Sequence, residues 1–153
     1  MDLALNLTGC FLAAALFALL FRTPLRLIVP ASIAAVAGYA LSLWSGAKIG
    51  AEWAGIFFGS LLAALMGEWM ARKLRAPATI FLTVSVIPMV PGAGLYNTML
   101  ALVQNRYADA AEAGSNTMLA AGAIALGISI AASVAYALRR KNASPGPTDS
   151  PKP

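Results

Sequence analysis

Residues 76–105 form the longest uncharged stretch of this chain and read APATIFLTVSVIPMVPGAGLYNTMLALVQN. The stretch is longer than the roughly 20 residues that an apolar helix needs to span a bilayer. Its centre, however, contains Pro88, Pro91, Gly92 and Gly94. A proline has no N–H group and its ring clashes with the preceding turn, so it interrupts helical hydrogen bonding. The sequence therefore predicts a membrane-spanning helix that is broken between Pro88 and Gly94.

The composition of the whole chain is that of an integral membrane protein. Hydrophobic residues make up 59% of its 153 residues and charged residues only 11%, whereas a soluble domain carries about 25% charged residues. The net charge of +5 does not indicate nucleic-acid binding, because the basic residues lie at the ends of apolar segments, where they orient a protein in a membrane. We expect the lipid bilayer, and no nucleic acid, among the partners.

Five apolar segments predict an all-α, polytopic membrane protein with five transmembrane helices, the fourth of which is broken. The segments are residues 3–21, 27–44, 53–70, 78–103 and 117–138. We expect one transmembrane domain over residues 1–141. The remaining residues, 142–153, are rich in proline and are predicted to form a disordered tail.

The basic residues predict the orientation of the spans. Basic residues cluster after segments one, three and five, at Arg22 and Arg26, residues 72–75 and residues 139–141, whereas the other loops pair each base with acids. The positive-inside rule then places the N-terminus outside and the C-terminus in the cytoplasm. Five full passes are needed, because a re-entrant fourth segment would place the last basic cluster outside.

The predicted break gives the most specific chemistry in the chain. About ten residues separate Ala78 from Pro88, or roughly 15 Å of helix, which is half of a ~30 Å hydrocarbon core. We expect the prolines to leave the carbonyls of Val84 and Ile87 without helical partners and a second half-helix to begin near residues 94–95. The free N–H groups and positive dipole of a helix start attract a carboxylate.

We therefore predict a substrate site at the break. Its candidate residues are those of the break and of the first turn after it, namely Pro88, Pro91, Gly92, Gly94, Tyr96, Asn97 and Thr98. A structural proline kink, which membrane helices tolerate, is the alternative. Two prolines, one of them followed directly by glycine, favour a true break.

A stripe of small residues marks one face of the third segment. Gly55, Gly59, Ala63 and Gly67 recur every fourth residue, and such a stripe lets helices approach closely in lipid. Packing within one bundle and docking of a second subunit are both compatible with this pattern.

Ionisable groups are almost absent from the predicted spans. Glu68 lies near the cytoplasmic end of the third segment, and Arg72 follows four residues later, so the two can form an interfacial ion pair or a gate. The chain has no histidine and one cysteine, Cys10, so we expect no metal, no cofactor and no Ser-His-Asp site. Enzymatic activity is not expected.

The motif at the break resembles the threonine/serine exporter (ThrE) family. The resemblance is carried by residues 87–89 (IPM), Pro91-Gly92 and Tyr96. It is to the domain that forms the C-terminal half of fused exporters, or a separate small subunit such as that of the bacterial two-component succinate exporter. The resemblance implies a bacterial inner-membrane carrier of small carboxylates, either threonine and serine or a C4-dicarboxylate such as succinate.

The resemblance also implies a larger partner subunit of the same family. The alternative function is a non-transporting membrane scaffold that stabilises a partner. Such a scaffold would need the small-residue stripes but not the broken helix.

Overall fold

The computed structural model describes the backbone of residues 3–142 and the side chains of residues 3–138. This region is helical throughout, apart from short connections. Its elements are α1 (Leu3–Leu20), α2 (Leu25–Ile49), α3 (Glu52–Lys73), α4 (Ala78–Val86), a 3-10 turn (Ile87–Met89), α5 (Gly92–Val103) and α6 (Tyr107–Asn142). Asn142 thus ends α6, and the rest of the predicted disordered tail, residues 143–153, lies outside the described residues.

Within the described region, α1, α2, α3 and α6 are each long and apolar enough to cross a membrane. The remaining candidate span, which is the fourth along the chain, is a bent pair of helices. In it, α4 with the 3-10 turn meets α5 at an angle of 48°. The predicted all-α membrane protein with a broken fourth span is therefore confirmed.

The backbone at the break is satisfied in part by local hydrogen bonds. Ile87 was predicted to have a carbonyl without a helical partner, but the N–H of Val90 donates to it at 3.1 Å. The N–H of Gly92 donates to the Val90 carbonyl at 2.7 Å, and α5 begins at Gly92. This start is two residues earlier than predicted, because Pro91 occupies the N-cap position and its fixed φ, here −76°, suits a helix entrance.

The start of α6 is the largest departure from the predicted boundaries. The fifth segment was predicted from residue 117, but α6 begins at Tyr107. Residues 107–116 are polar yet rich in alanine, which favours helix, and Asp109 in the first turn suits the helix dipole. With 36 residues, α6 is roughly 54 Å long, so it extends beyond a ~30 Å hydrocarbon core.

Two turns on the basic side of the bundle share one structure. Arg22 and Arg75 have φ values of 52° and 51°, and a proline follows each after one residue, at Pro24 and Pro77. In the first turn the backbone N–H of Thr23 donates to the Ala18 carbonyl at 3.0 Å, and in the second the N–H of Ala76 donates to the Ala71 carbonyl at 2.9 Å. These bonds satisfy the last carbonyls of α1 and α3.

Helix α3 lies at the centre and packs against α2, α4 and α6. A Cβ atom on Gly59 would lie 2.6 Å from the Gly38 carbonyl oxygen and 2.6 Å from Ser42 Cβ. On Gly55 it would meet the Ser42 carbonyl oxygen, and on Gly67 it would lie 3.2 Å from Phe81 Cβ. The small-residue stripe, with Ala63 fully buried in it, therefore faces α2 and α4 of this same chain and leaves no surface there for a second subunit.

Candidate functional site

A cavity of about 1110 Å³ lies beside the bend in the fourth span. Helix α4 packs against α2 and α3, whereas α5, beyond the bend, packs chiefly against α6. The cavity lies between α2 and α3 on one side and α5 and α6 on the other. The 3-10 turn and residues 90–94 line its inner part. The broken backbone therefore faces the cavity.

Met89 closes the inner end of this cavity. Its side chain is 5% exposed and packs with Ala63 and Ile124. Its Cε atom would lie 2.6 Å from a Cβ on Gly38, so the glycine provides the space that the methionine fills. Beyond it, Phe81 and Val84 are fully buried. The other end of the cavity reaches the α2–α3 connection at residues 50–53, so the cavity opens away from the basic turns.

The start of α5 is the polar part of the inner cavity. Gly92, Ala93 and Gly94 all line it, and no side chain caps the helix. The first N–H groups of a helix have no intrahelical acceptors, and here the earliest helical bond runs from the Leu95 N–H to the Pro91 carbonyl at 3.1 Å. A Cβ on Gly92 would meet no atom within 4 Å. The space beside Gly92 is therefore open, and a helix start of this kind can bind a small anion.

The structure brings five of the seven predicted substrate residues to the cavity. Those that line it are Pro88, Pro91, Gly92, Gly94 and Asn97.

Tyr96 and Thr98 lie elsewhere. Tyr96 is 66% exposed on the outer surface, and the Thr98 hydroxyl donates to the Gly94 carbonyl at 2.7 Å. The physical reason is the helical period, because residues on either side of Asn97 are turned about 100° away from it.

Four further residues with hydroxyl or amide side chains line the cavity and were not predicted as site residues. They are Tyr39, Ser42, Asn116 and Thr117. The hydroxyl of Ser42 donates to the Tyr39 carbonyl at 2.7 Å, and that of Thr117 to the Ala113 carbonyl at 2.7 Å. Asn116 was missed because the fifth span was predicted to start one residue later. The alanine-rich segment before that start is the sequence signal that would have predicted a longer helix, with Asn116 in it.

The cavity contains one charged side chain among the residues that line it, the carboxylate of Glu52. This residue begins α3 at the open end, and no lysine or arginine among the described residues lines the cavity. Other described side chains do not form a metal site: no group of three His, Cys, Asp or Glu residues is close enough to hold an ion.

Glu68 and Arg72 lie outside the cavity. The Arg72 guanidinium is 3.9 Å from the Glu68 carboxylate and donates to the backbone carbonyl of Ala135 at 2.8 Å. Arg72 therefore ties α3 to α6 on the basic side of the bundle, which is the side closed by Met89.

Comparison with known proteins identifies the family. A family model described as "Threonine/Serine exporter, ThrE" matches residues 6–134, which is most of the chain. No solved structure matches it. The match includes all or most of each described helix, the broken span among them, and indicates a membrane transport role. The chain therefore belongs to the threonine/serine exporter (ThrE) family.

Proposed function

We propose that this chain is a subunit of a bacterial inner-membrane exporter and that small carboxylate substrates leave the cell through the cavity beside α5. One observation carries the proposal: the broken span places an uncapped helix start inside a cavity of about 1110 Å³. Helix α4 has nine residues, or roughly 14 Å of helix, so the break lies near the middle of a ~30 Å core. Carriers bind substrates at such breaks.

The charges around the cavity favour threonine and serine over a C4-dicarboxylate such as succinate. A carboxylate at the start of α5 gains charge-assisted hydrogen bonds, each worth about 1.5–3 kcal/mol. The second carboxylate of succinate would meet no lysine or arginine among the lining residues, and burying an unpaired ion costs several kcal/mol. An amino acid instead carries a cationic ammonium group, which the carboxylate of Glu52 at the cavity mouth attracts.

The orientation that we propose follows from the two ends of the bundle. The turns with Arg22 and Arg75 lie at one end, and the open end of the cavity lies at the other. With the basic end in the cytoplasm, the N-terminus is outside, the C-terminus is inside and the cavity is open to the exterior. Met89 then separates the cavity from the cytoplasm. The contact between Arg72 and Ala135 is a candidate gate on the cytoplasmic side.

We further propose that a larger subunit of the same family completes the carrier. Helix α5 packs chiefly against α6 and leaves apolar side chains exposed at Leu95, Tyr96 and Met99. A partner helix that covered this face would also narrow the lateral side of the cavity. The alternative function, a non-transporting scaffold, would not require a cavity with an uncapped helix start.

Efflux from proteoliposomes tests the proposal. Vesicles loaded with labelled threonine, serine or succinate would contain the full chain alone, the larger subunit alone, or both. We expect threonine and serine efflux only with both subunits. If the larger subunit alone gave the same efflux rate as both subunits together, this chain would not be part of the transport path. The scaffold function would then be supported if this chain also raised the amount of the larger subunit in the membrane. Efflux by this chain alone would overturn the two-subunit proposal.

A further inference from the structure

Two side-chain amides, those of Asn97 and Asn116, line the cavity from facing helices. In the part of the chain that the structure describes, neither side chain makes a hydrogen bond, although the hydroxyls of Ser42 and Thr117 each donate to a backbone carbonyl. Neither asparagine is buried, so both are accessible from the cavity. Unpaired amides inside a membrane cavity are costly unless water or a ligand satisfies them.

The packing of α5 against α6 fixes the depth of these amides. Thr117 contacts Gly94, and a Cβ on Gly114 would lie 3.3 Å from the methyl group of Thr98. Asn116 directly precedes Thr117, so it lies at the level of residues 95–96 of α5. Asn97 is five residues beyond Gly92, or roughly 7.5 Å along the helix axis. The two amides thus lie at successive depths above the helix start, Asn116 nearer to it and Asn97 one or two residues, or roughly 1.5–3 Å, farther out.

A small hydroxyl amino acid has the same order of groups. Its ammonium is on the carbon next to the carboxylate, and its hydroxyl is one carbon farther. Resting on the function proposed above, we infer that Asn116 and Asn97 are the specificity-determining residues of the site: with the carboxylate at the start of α5, the Asn116 Oδ1 atom accepts from the ammonium and the Asn97 amide binds the hydroxyl. Since each amide has both a donor and an acceptor, it can satisfy these groups without adding charge.

Binding measurements on the full chain in lipid nanodiscs, with threonine, alanine and succinate, test the inference. Removing Asn116 deletes a hydrogen bond to a cation, so Asn116→Ala should weaken both threonine and alanine binding by about 10–100-fold. Asn97→Ala should leave alanine binding unchanged and lower the threonine-to-alanine affinity ratio by about 3–10-fold. Asn6→Ala is the matched control, because Asn6 is exposed on α1 and is not among the residues that line the cavity.

A conservative variant distinguishes loss of ligand binding from loss of folding. Asn116→Asp keeps the acceptor for the ammonium, so it should retain threonine binding and weaken succinate binding further. Unchanged threonine and alanine affinities in Asn116→Ala, or loss of threonine binding in well-folded Asn116→Asp, would overturn the role of Asn116. An unchanged threonine-to-alanine ratio in Asn97→Ala would overturn the role of Asn97. Failure of the wild-type chain to bind any of the three ligands, with and without the larger subunit, would instead count against the proposed function.

Discussion

Substitutions at Gly92 and Gly94 can distinguish a role of the break in transport from a role in folding, because the two glycines have different surroundings. A Cβ on Gly92 has no atom within 4 Å, whereas one on Gly94 would contact the Thr117 hydroxyl. Replacing glycine by valine in a helix gains a few tenths of a kcal/mol. At Gly94 this gain is outweighed by overpacking, which costs about 1–3 kcal/mol. Gly92→Val should therefore fold as well as the wild-type chain, and Gly94→Val should lose roughly 1–2 kcal/mol of stability.

Transport per amount of folded protein should instead be impaired more by Gly92→Val than by Gly94→Val. Valine at position 92 would place its side chain over the N–H groups that we propose to bind the carboxylate. Loss of one charge-assisted hydrogen bond of about 1.5–3 kcal/mol corresponds to a fall of about 10–100-fold in apparent affinity. The assay combines threonine efflux from proteoliposomes with thermal stability in detergent, measured by size-exclusion chromatography.

Gly122→Val is the matched control, because a Cβ there also meets no atom within 4 Å and Gly122 does not line the cavity. The reasoning would be refuted if Gly92→Val transported threonine with wild-type affinity. A loss of transport that only matched the loss of folded protein, in both Gly92→Val and Gly94→Val, would support a purely structural role for the break.

Three further predictions address packing and orientation. Gly59→Leu should destabilise this chain in the absence of any partner, because a Cβ would lie 2.6 Å from the Gly38 carbonyl oxygen; equal melting temperatures of Gly59→Leu and Gly122→Leu would argue against this. Arg72→Ala removes the 2.8 Å bond to Ala135 and should lower stability by about 1 kcal/mol or more, which chemical or thermal unfolding would detect. A C-terminal reporter that is active only in the cytoplasm should be active, and activity of an exterior-only reporter would reverse the proposed topology.

The position of the break was predicted from proline chemistry. Pro88 and Pro91 remove two helical N–H groups within four residues, and α4 ends at Val86, whereas the single Pro30 is accommodated inside α2. The finer backbone pattern did not follow in the same way. The Ile87 carbonyl regained a partner through a 3-10 turn, because a freed carbonyl accepts the nearest N–H that local geometry allows.

The start of α6 was predicted ten residues late for a related reason. Hydropathy reports which residues prefer lipid, whereas helix formation also depends on backbone propensity and on contacts with a neighbour. Residues 107–116 are too polar for the first criterion but, being rich in alanine, satisfy the second. They also pack against α5. Because of this error, Asn116 was not predicted to lie in a helix that lines the cavity.

The sequence by itself determined that this chain is a helical membrane protein with a broken fourth span, because apolar length and proline chemistry are local properties. Only the tertiary structure decided what surrounds the break. Helix α5, bent by 48° from α4, packs against α6, and the packing of the helices places Asn97, Asn116 and Ser42 around one cavity, while Tyr96 remains outside. It also decided that Gly55 and Gly59 pack inside the chain. Residues far apart in sequence become neighbours only through helix packing, and a pattern on one helix does not specify the helix that it meets.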